Sequence, residues 1–108
     1  MSTIREISDA QFQSEVLDSK TPVLVDFYAP WCQPCKSLAT SLETVAPEFA
    51  DKVKIVKVNI DDAFKTAAQM RVRGVPLLNV MVDGQVVAAK SGAMNAQALR
   101  DFINAAIK

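Results

Sequence analysis

The chain has 108 residues, 50% of them apolar, with 12 Lys plus Arg balancing 12 Asp plus Glu. That length suits one domain spanning residues 1–108, large enough to build a core without staples. Zero net charge argues against nucleic acid or an anionic membrane as the main partner, and the lack of any histidine removes Ser–His and Cys–His catalysis and histidine metal sites.

The N-terminal MSTIREISDAQ has no apolar run of the signal-peptide kind, and no stretch approaches the ~20 apolar residues that span a bilayer. These features predict a soluble, cytoplasmic protein. Thr3–Ile7 is expected to form a short strand. Ser8, with Gln11 three residues on, forms a capping-box pattern, and Phe12, Val16 and Leu17 give the helix that follows an apolar face. VLVDFYA (23–29) is nearly continuous in apolar residues, as a central strand buried on both faces would be. A helix is expected from about Pro34 to Phe49, with Leu38, Leu42, Val45 and Phe49 at helical spacing.

Val53–Ile60 is rich in β-branched residues and is expected to be a strand, and Ala63–Met70 a short helix. Leu77–Val82 and Gln85–Lys90 flank Asp83-Gly84, a two-residue hairpin signal. Asn95 caps a last helix whose Leu99, Phe102, Ile103 and Ala106 recur at i, i+3, i+4, i+7. Helices between the first three strands imply parallel crossovers, and the hairpin adds an antiparallel pair. The fold class is α/β, with helices on both faces of one mixed sheet.

The chemistry centres on YAPWCQPCKSL (28–38), which holds both cysteines of the chain, Cys32 and Cys35. Cys32 falls at a helix N-terminus, Cys35 about one turn further in, and Pro34 in the first turn, where its missing N–H costs nothing. That spacing permits both a dithiol and a disulfide. Charge–dipole energies of ~0.3–2 kcal/mol lower a helix-end thiol by at most about 1.5 pKa units from a free value of about 8.5. Cys32 is therefore the better nucleophile, helped by Lys36, and inward-facing Cys35 the resolving thiol. A mononuclear zinc site wants four ligands, and two cysteines without histidine do not supply them. A metal cluster shared between two chains and a purely structural cysteine pair also compete with dithiol chemistry.

Taken together, VDFYAPWCxPCK, the lysine of VKVNID, GVP at 74–76, the Asp-Gly hairpin and the glycine of KSGA resemble the thioredoxin family over essentially the whole chain. Lowered thiol pKa values in CxxC pairs are known behaviour of that family. The resemblance implies a five-stranded mixed sheet flanked by four helices. It implies reduction of disulfides in protein substrates through a reversible Cys32–Cys35 disulfide. It also implies a monomer with no cofactor or metal of its own, recycled by an NADPH-dependent flavoprotein reductase. Asp26 becomes a proton acceptor for Cys35, and Lys57 a neighbour that tempers it. Trp31, Gln33, Pro34, Val75, Pro76, Gly92 and Ala93 become the surface that receives the target chain. The Val75–Pro76 bond is expected to be cis, with the Val75 backbone pairing to an extended substrate. A redox-sensitive binding subunit, or an oxidase or isomerase on the same fold, is the alternative function.

The sequence departs from the family's usual pattern at several positions. Gln33 replaces the common glycine between the cysteines, Tyr28 a frequent tryptophan, and Leu77 a threonine, while Asn79 sets an amide in an apolar strand. Thr40 replaces a proline and keeps the N–H that proline lacks, so the active-site helix is expected to run without a proline kink.

Overall fold

The apolar run at 23–28 lies at the middle of the sheet. In the computed structural model, which describes residues 4–108, the strands are β1 (Arg5–Glu6), β2 (Val23–Tyr28), β3 (Lys54–Asn59), β4 (Leu77–Val82) and β5 (Gln85–Ser91). The helices are α1 (Asp9–Phe12), α2 (Gln33–Val45), α3 (Phe64–Gln69) and α4 (Ala96–Ala106). The sheet order is β1-β3-β2-β4-β5, with β1 and β2 parallel to β3, and β4 antiparallel to both β2 and β5. The mixed five-stranded sheet and four helices are the expected architecture.

Element ends differ for local reasons. The first strand pairs only at Arg5–Glu6, between buried Ile4 and Ile7, and Thr3 lies outside the described residues. The expected helix to Phe49 stops at Val45 and tightens into a 3₁₀ turn at Ala46–Phe49. Pro47 explains this, because it has no N–H to continue the i→i−4 ladder. α1 widens into a π-helical turn at Gln13–Leu17. Ser8 begins it, and its N–H donates to Gln11 Oε1 at 2.9 Å. Through Thr40 the helix α2 is unbroken, and the Thr40 hydroxyl donates back to the Lys36 carbonyl at 3.3 Å. The Asp83-Gly84 turn has both residues at positive φ, 52° and 77°, as a two-residue hairpin requires. A side chain at residue 84 would put its Cβ 3.0 Å from the Leu17 carbonyl oxygen.

Strand alternation sorts the side chains into two cores. Leu24, Ile55, Leu78 and Val80 face α2 and α4, meeting Leu38, Leu42, Leu99 and Ile103. Val25, Phe27, Val56, Val58 and Met81 face the other way, onto Phe12 and Val16. Leu42 is fully buried against the sheet, so truncation to alanine there belongs to the 2–5 kcal/mol class of large-to-small core changes. The second face is also clamped by Asp9, whose carboxylate accepts from the Thr66 N–H (2.8 Å) and hydroxyl (2.7 Å) at the start of α3.

α3 ends in a Schellman motif. The Val72 N–H donates to the Ala67 carbonyl (2.9 Å) and the Arg71 N–H to Ala68 (3.1 Å). Such an end needs one left-handed residue, usually glycine, and here it is Arg71 at φ 57°. A left-handed residue with a Cβ costs roughly 1–2 kcal/mol, and glycine's extra unfolded-state freedom gives back about 0.4–1 kcal/mol of that. Arg71→Gly is therefore expected to leave stability unchanged or raise it by up to ~1.6 kcal/mol in urea unfolding. A loss above that size would show that the arginine side chain packs in a stabilising way.

Candidate functional site

β2 ends at Tyr28 and α2 begins at Gln33, so Cys32 arrives at the helix N-cap directly from the central strand. The connecting turn is held by the Cys32 N–H, which donates to the Ala29 carbonyl at 3.1 Å, and by the Ile60 N–H, which donates to Tyr28 at 2.9 Å. Cys32 has extended backbone angles and its sulfur takes the part a serine or aspartate oxygen plays at a helix start. It accepts the Cys35 N–H at 3.2 Å. Pro34 lies in the first turn, as expected, and Gln33 and Pro34 are exposed. Cys32 and Cys35 are joined as a disulfide with Cα atoms 5.2 Å apart.

Both cysteines are largely buried, 5% and 3% exposed, packed against Ala29, Tyr28, Ile60 and Val75. Exposure of the whole residue thus hardly separates the two cysteines. What separates them is the amide that faces Cys32.

Behind Cys35, three ionisable groups stand in one row across the sheet. Glu6 pairs with Lys57, and Lys57 with Asp26, on neighbouring parallel strands. In-register residues share a face, and this is the face that carries Leu24 and Ile55 toward α2. Asp26 is 3% exposed, and its Oδ1 is buried without a hydrogen-bond partner among the described residues. Burial pushes its carboxyl from 3.8 up to about 7, and the Lys57 charge pulls in the opposite direction. Desolvation wins because the lysine offers attraction without a hydrogen bond. The Lys57 amine lies 5.8 Å from the Tyr28 ring centroid. The Tyr28 hydroxyl donates to the Glu6 carboxylate, and burial, reinforced by that bond, pushes the phenol's pKa up. Asp26, Lys57, Tyr28 and Cys35 line one cavity of about 220 Å³.

The Val75–Pro76 bond is cis, as the resemblance implied. Val75, Pro76 and Gly92 line a groove of about 340 Å³ outside the disulfide, and the Gly92 N–H donates to the Pro76 carbonyl at 3.1 Å. Trp31 is 69% exposed, with its indole N–H donating to Asp61 Oδ2 at 3.1 Å. Ala93 is exposed but does not line the groove. Sequence reasoning missed Glu6, Ile60, Asp61 and the arginines 71 and 73 near the groove. The pairing of Glu6 with Tyr28 depends on sheet order, which no local pattern carries.

The Asp26 environment has a consequence for stability. An acid whose folded pKa is raised binds more protons folded than unfolded between pH 3.8 and about 7, so stability falls as pH rises through that window. Above pH 7 the ionised carboxylate costs up to ~4 kcal/mol, and below pH 4 the cost vanishes. Asp26→Asn is expected to stabilise the oxidised protein at pH 8 and to gain little at pH 4. Urea unfolding at both values checks this, and an equal gain at the two would rule out ionisation as its source.

The family model described as thioredoxin matches residues 3–105. The chain is 52% identical to a thioredoxin of Haemophilus influenzae over 104 residues, covering 96% of this chain and 97% of that one. It is 47% identical to thioredoxin C-2 of Corynebacterium nephridii over 102 residues, 94% of each chain. It is 40% identical to a thioredoxin of Rhodospirillum rubrum over 104 residues, 96% of this chain and 100% of that one. With a disulfide between the two cysteines at the start of the helix after the central strand, these likenesses place the chain in the thioredoxin family, as a thiol–disulfide oxidoreductase with Cys32–Cys35 as its redox-active pair.

Proposed function

We propose that the reduced protein transfers two electrons to disulfides of protein substrates, with Cys32 as nucleophile and Cys35 as resolving thiol. The observation that carries this reading is the Cys35 N–H directed at Cys32 Sγ at a helix N-terminus. In the dithiol form the same donor and the helix-end field favour a thiolate at Cys32 over one at Cys35.

That thiolate attacks one sulfur of a target disulfide. A Cys32–target bond forms, and the target's other sulfur leaves as a thiolate that takes a proton from water. Cys35 then gives its proton to the Asp26 carboxylate, which shares its cavity. The Cys35 thiolate attacks the Cys32 sulfur, the Cys32–Cys35 bond forms, and the second target sulfur departs with its electron pair. The target has gained two electrons and the protein has lost two. A base near pKa 7 is ionised often enough to accept a proton at neutral pH and basic enough to hold it. Lys57, opposite Asp26 in the sheet, keeps that carboxylate from rising further.

Trp31, Gln33, Pro34, Val75, Pro76, Gly92 and Ala93 form the face on which the target chain docks. Exposed Trp31 and the groove beside Val75–Pro76 support this assignment. Family membership supports protein disulfides as substrates and a reductase as electron source. The reductase in this reading is an NADPH-dependent flavoprotein, and the chain acts as a monomeric single domain in the cytoplasm. Among the described residues no helix is long and apolar enough to cross a membrane.

Cys35→Ser is expected to hold targets as mixed disulfides on Cys32, because serine cannot complete the second exchange. Cys32→Ser is expected to hold few. Non-reducing gels of each variant after exposure to a cell extract, with a reduced lane beside them, distinguish the two. Equal capture by both variants would reverse the assigned roles, and capture by neither would favour a redox-sensitive binding subunit. In the wild-type dithiol near pH 7, Cys32 is also expected to be alkylated well before Cys35.

A further inference from the structure

The groove beside Val75–Pro76 carries charge that the exchange steps leave unused. Its lining includes Arg71 and Arg73 and no acidic residue. Among the described residues neither guanidinium has an ion pair or a hydrogen bond. The other two arginines of the chain do have carboxylate partners, Arg5 with Glu15 at 3.0 Å and Arg100 with Glu48 at 2.7 Å. Half-buried Val72 packs against the core that holds Phe12 and Val16, and Arg71 and Arg73 on either side of it are exposed. Arg71 holds the left-handed position at the end of α3, where glycine would be free of strain. A strained residue kept in place of an unstrained one points to a use for its side chain.

The floor of the groove leaves room for a backbone. A Cβ built on Gly74 or on Gly92 meets no atom within 4 Å. Arginine's planar fork suits a carboxylate held by two parallel hydrogen bonds.

We propose that Arg71 and Arg73 select target polypeptides in which an acidic residue lies beside the disulfide, binding its carboxylate while the extended segment occupies the groove. This rests on the reading of Val75, Pro76 and Gly92 as the docking surface. The arginines act on recognition alone and leave the exchange chemistry to the cysteines.

The test uses three disulfide peptides that differ only in the residues flanking one cysteine: acidic, neutral or basic. The reduced protein is mixed with each, and the second-order rate constant of reduction is measured at low and high salt. At low salt the acidic peptide is expected to react on the order of 10-fold faster than the basic one, and the ratio to shrink at high salt as charges are screened. Arg71→Gln/Arg73→Gln is expected to bring the ratio near one, Arg71→Lys/Arg73→Lys to keep most of it, and Arg71→Glu/Arg73→Glu to invert it. Thermal melts establish that each variant is folded, and the salt dependence of the wild type needs no variant at all. Equal rates for the three peptides with the wild type would overturn charge selection while leaving the docking surface standing. Reduction of none of them would overturn both. An unchanged ratio in the glutamine variant would move the selectivity away from these arginines.

Discussion

A sulfur caps a helix in this protein, and the rest of the site is arranged around that contact. Ordinary helix starts use a serine, threonine or aspartate oxygen to take up an orphan N–H. At α2 the acceptor is Cys32 Sγ, and the donor is the amide of its own redox partner. The local structure of the helix start and the ionisation of the nucleophile are therefore one interaction. Everything nearby serves to hold it: β2 delivers the chain to Ala29, the Ala29 carbonyl fixes the Cys32 amide, and Pro34 enters the first turn without leaving an N–H unmet.

The second constraint is parity along the strands. Asp26 and Leu24 point to the same side of β2, toward α2, because strand side chains alternate. A carboxylate on the other face would lie among Val25, Phe27 and Val58, away from Cys35. Parallel pairing then sets Lys57 opposite Asp26 and Glu6 opposite Lys57. The Coulombic pull of Lys57 is weaker than the desolvation that Asp26 suffers, so the carboxyl titrates near 7 and not near 4. A closer, hydrogen-bonded pairing would have driven it below the usual range and removed the base. Tyr28 enters the same balance from the side: its ring faces the lysine and its hydroxyl engages Glu6, so the outer carboxylate has a neutral partner as well as the lysine opposite it.

The regular elements were legible in the sequence because each carries its own period. The 23–28 run, the heptad-like spacing of Leu38, Leu42 and Val45, and the Asp-Gly turn each appear within a few residues of where they were expected. Chemistry tied to those elements was legible too: a CxxC after a buried strand and before an apolar-faced helix is sufficient to place Cys32 and Cys35. The stop at Val45 was missed although Pro47 announces it, because the apolar spacing continues through Phe49 and outweighed the breaker. Glu6 was not legible at all. Its role depends on β1 lying beside β3, and a two-residue strand held by flanking Ile4 and Ile7 has no pattern long enough to predict its neighbour.

The division between legible and hidden residues follows a division of labour in the molecule. Electron and proton transfer need groups fixed to fractions of an ångström, and these sit on β2, β3 and the start of α2, where hydrogen-bond ladders leave little freedom. Recognition of varied targets needs an open rim, and that rim is built from the end of α3, the segment at 71–76 and the turn after β5. Its backbone is irregular: Arg71 and Gly92 both lie at positive φ, and Val75–Pro76 is cis. Local propensity is weakest as a guide in such segments, because tertiary contacts and not the residue's own preference choose the conformation. Arg71 is the clearest case. Propensity would put glycine there, and the Schellman hydrogen bonds form around an arginine all the same. The rim can absorb that cost because the exposed Arg71 belongs to neither core, so a change in what its side chain recognises need not disturb how the cysteines move electrons.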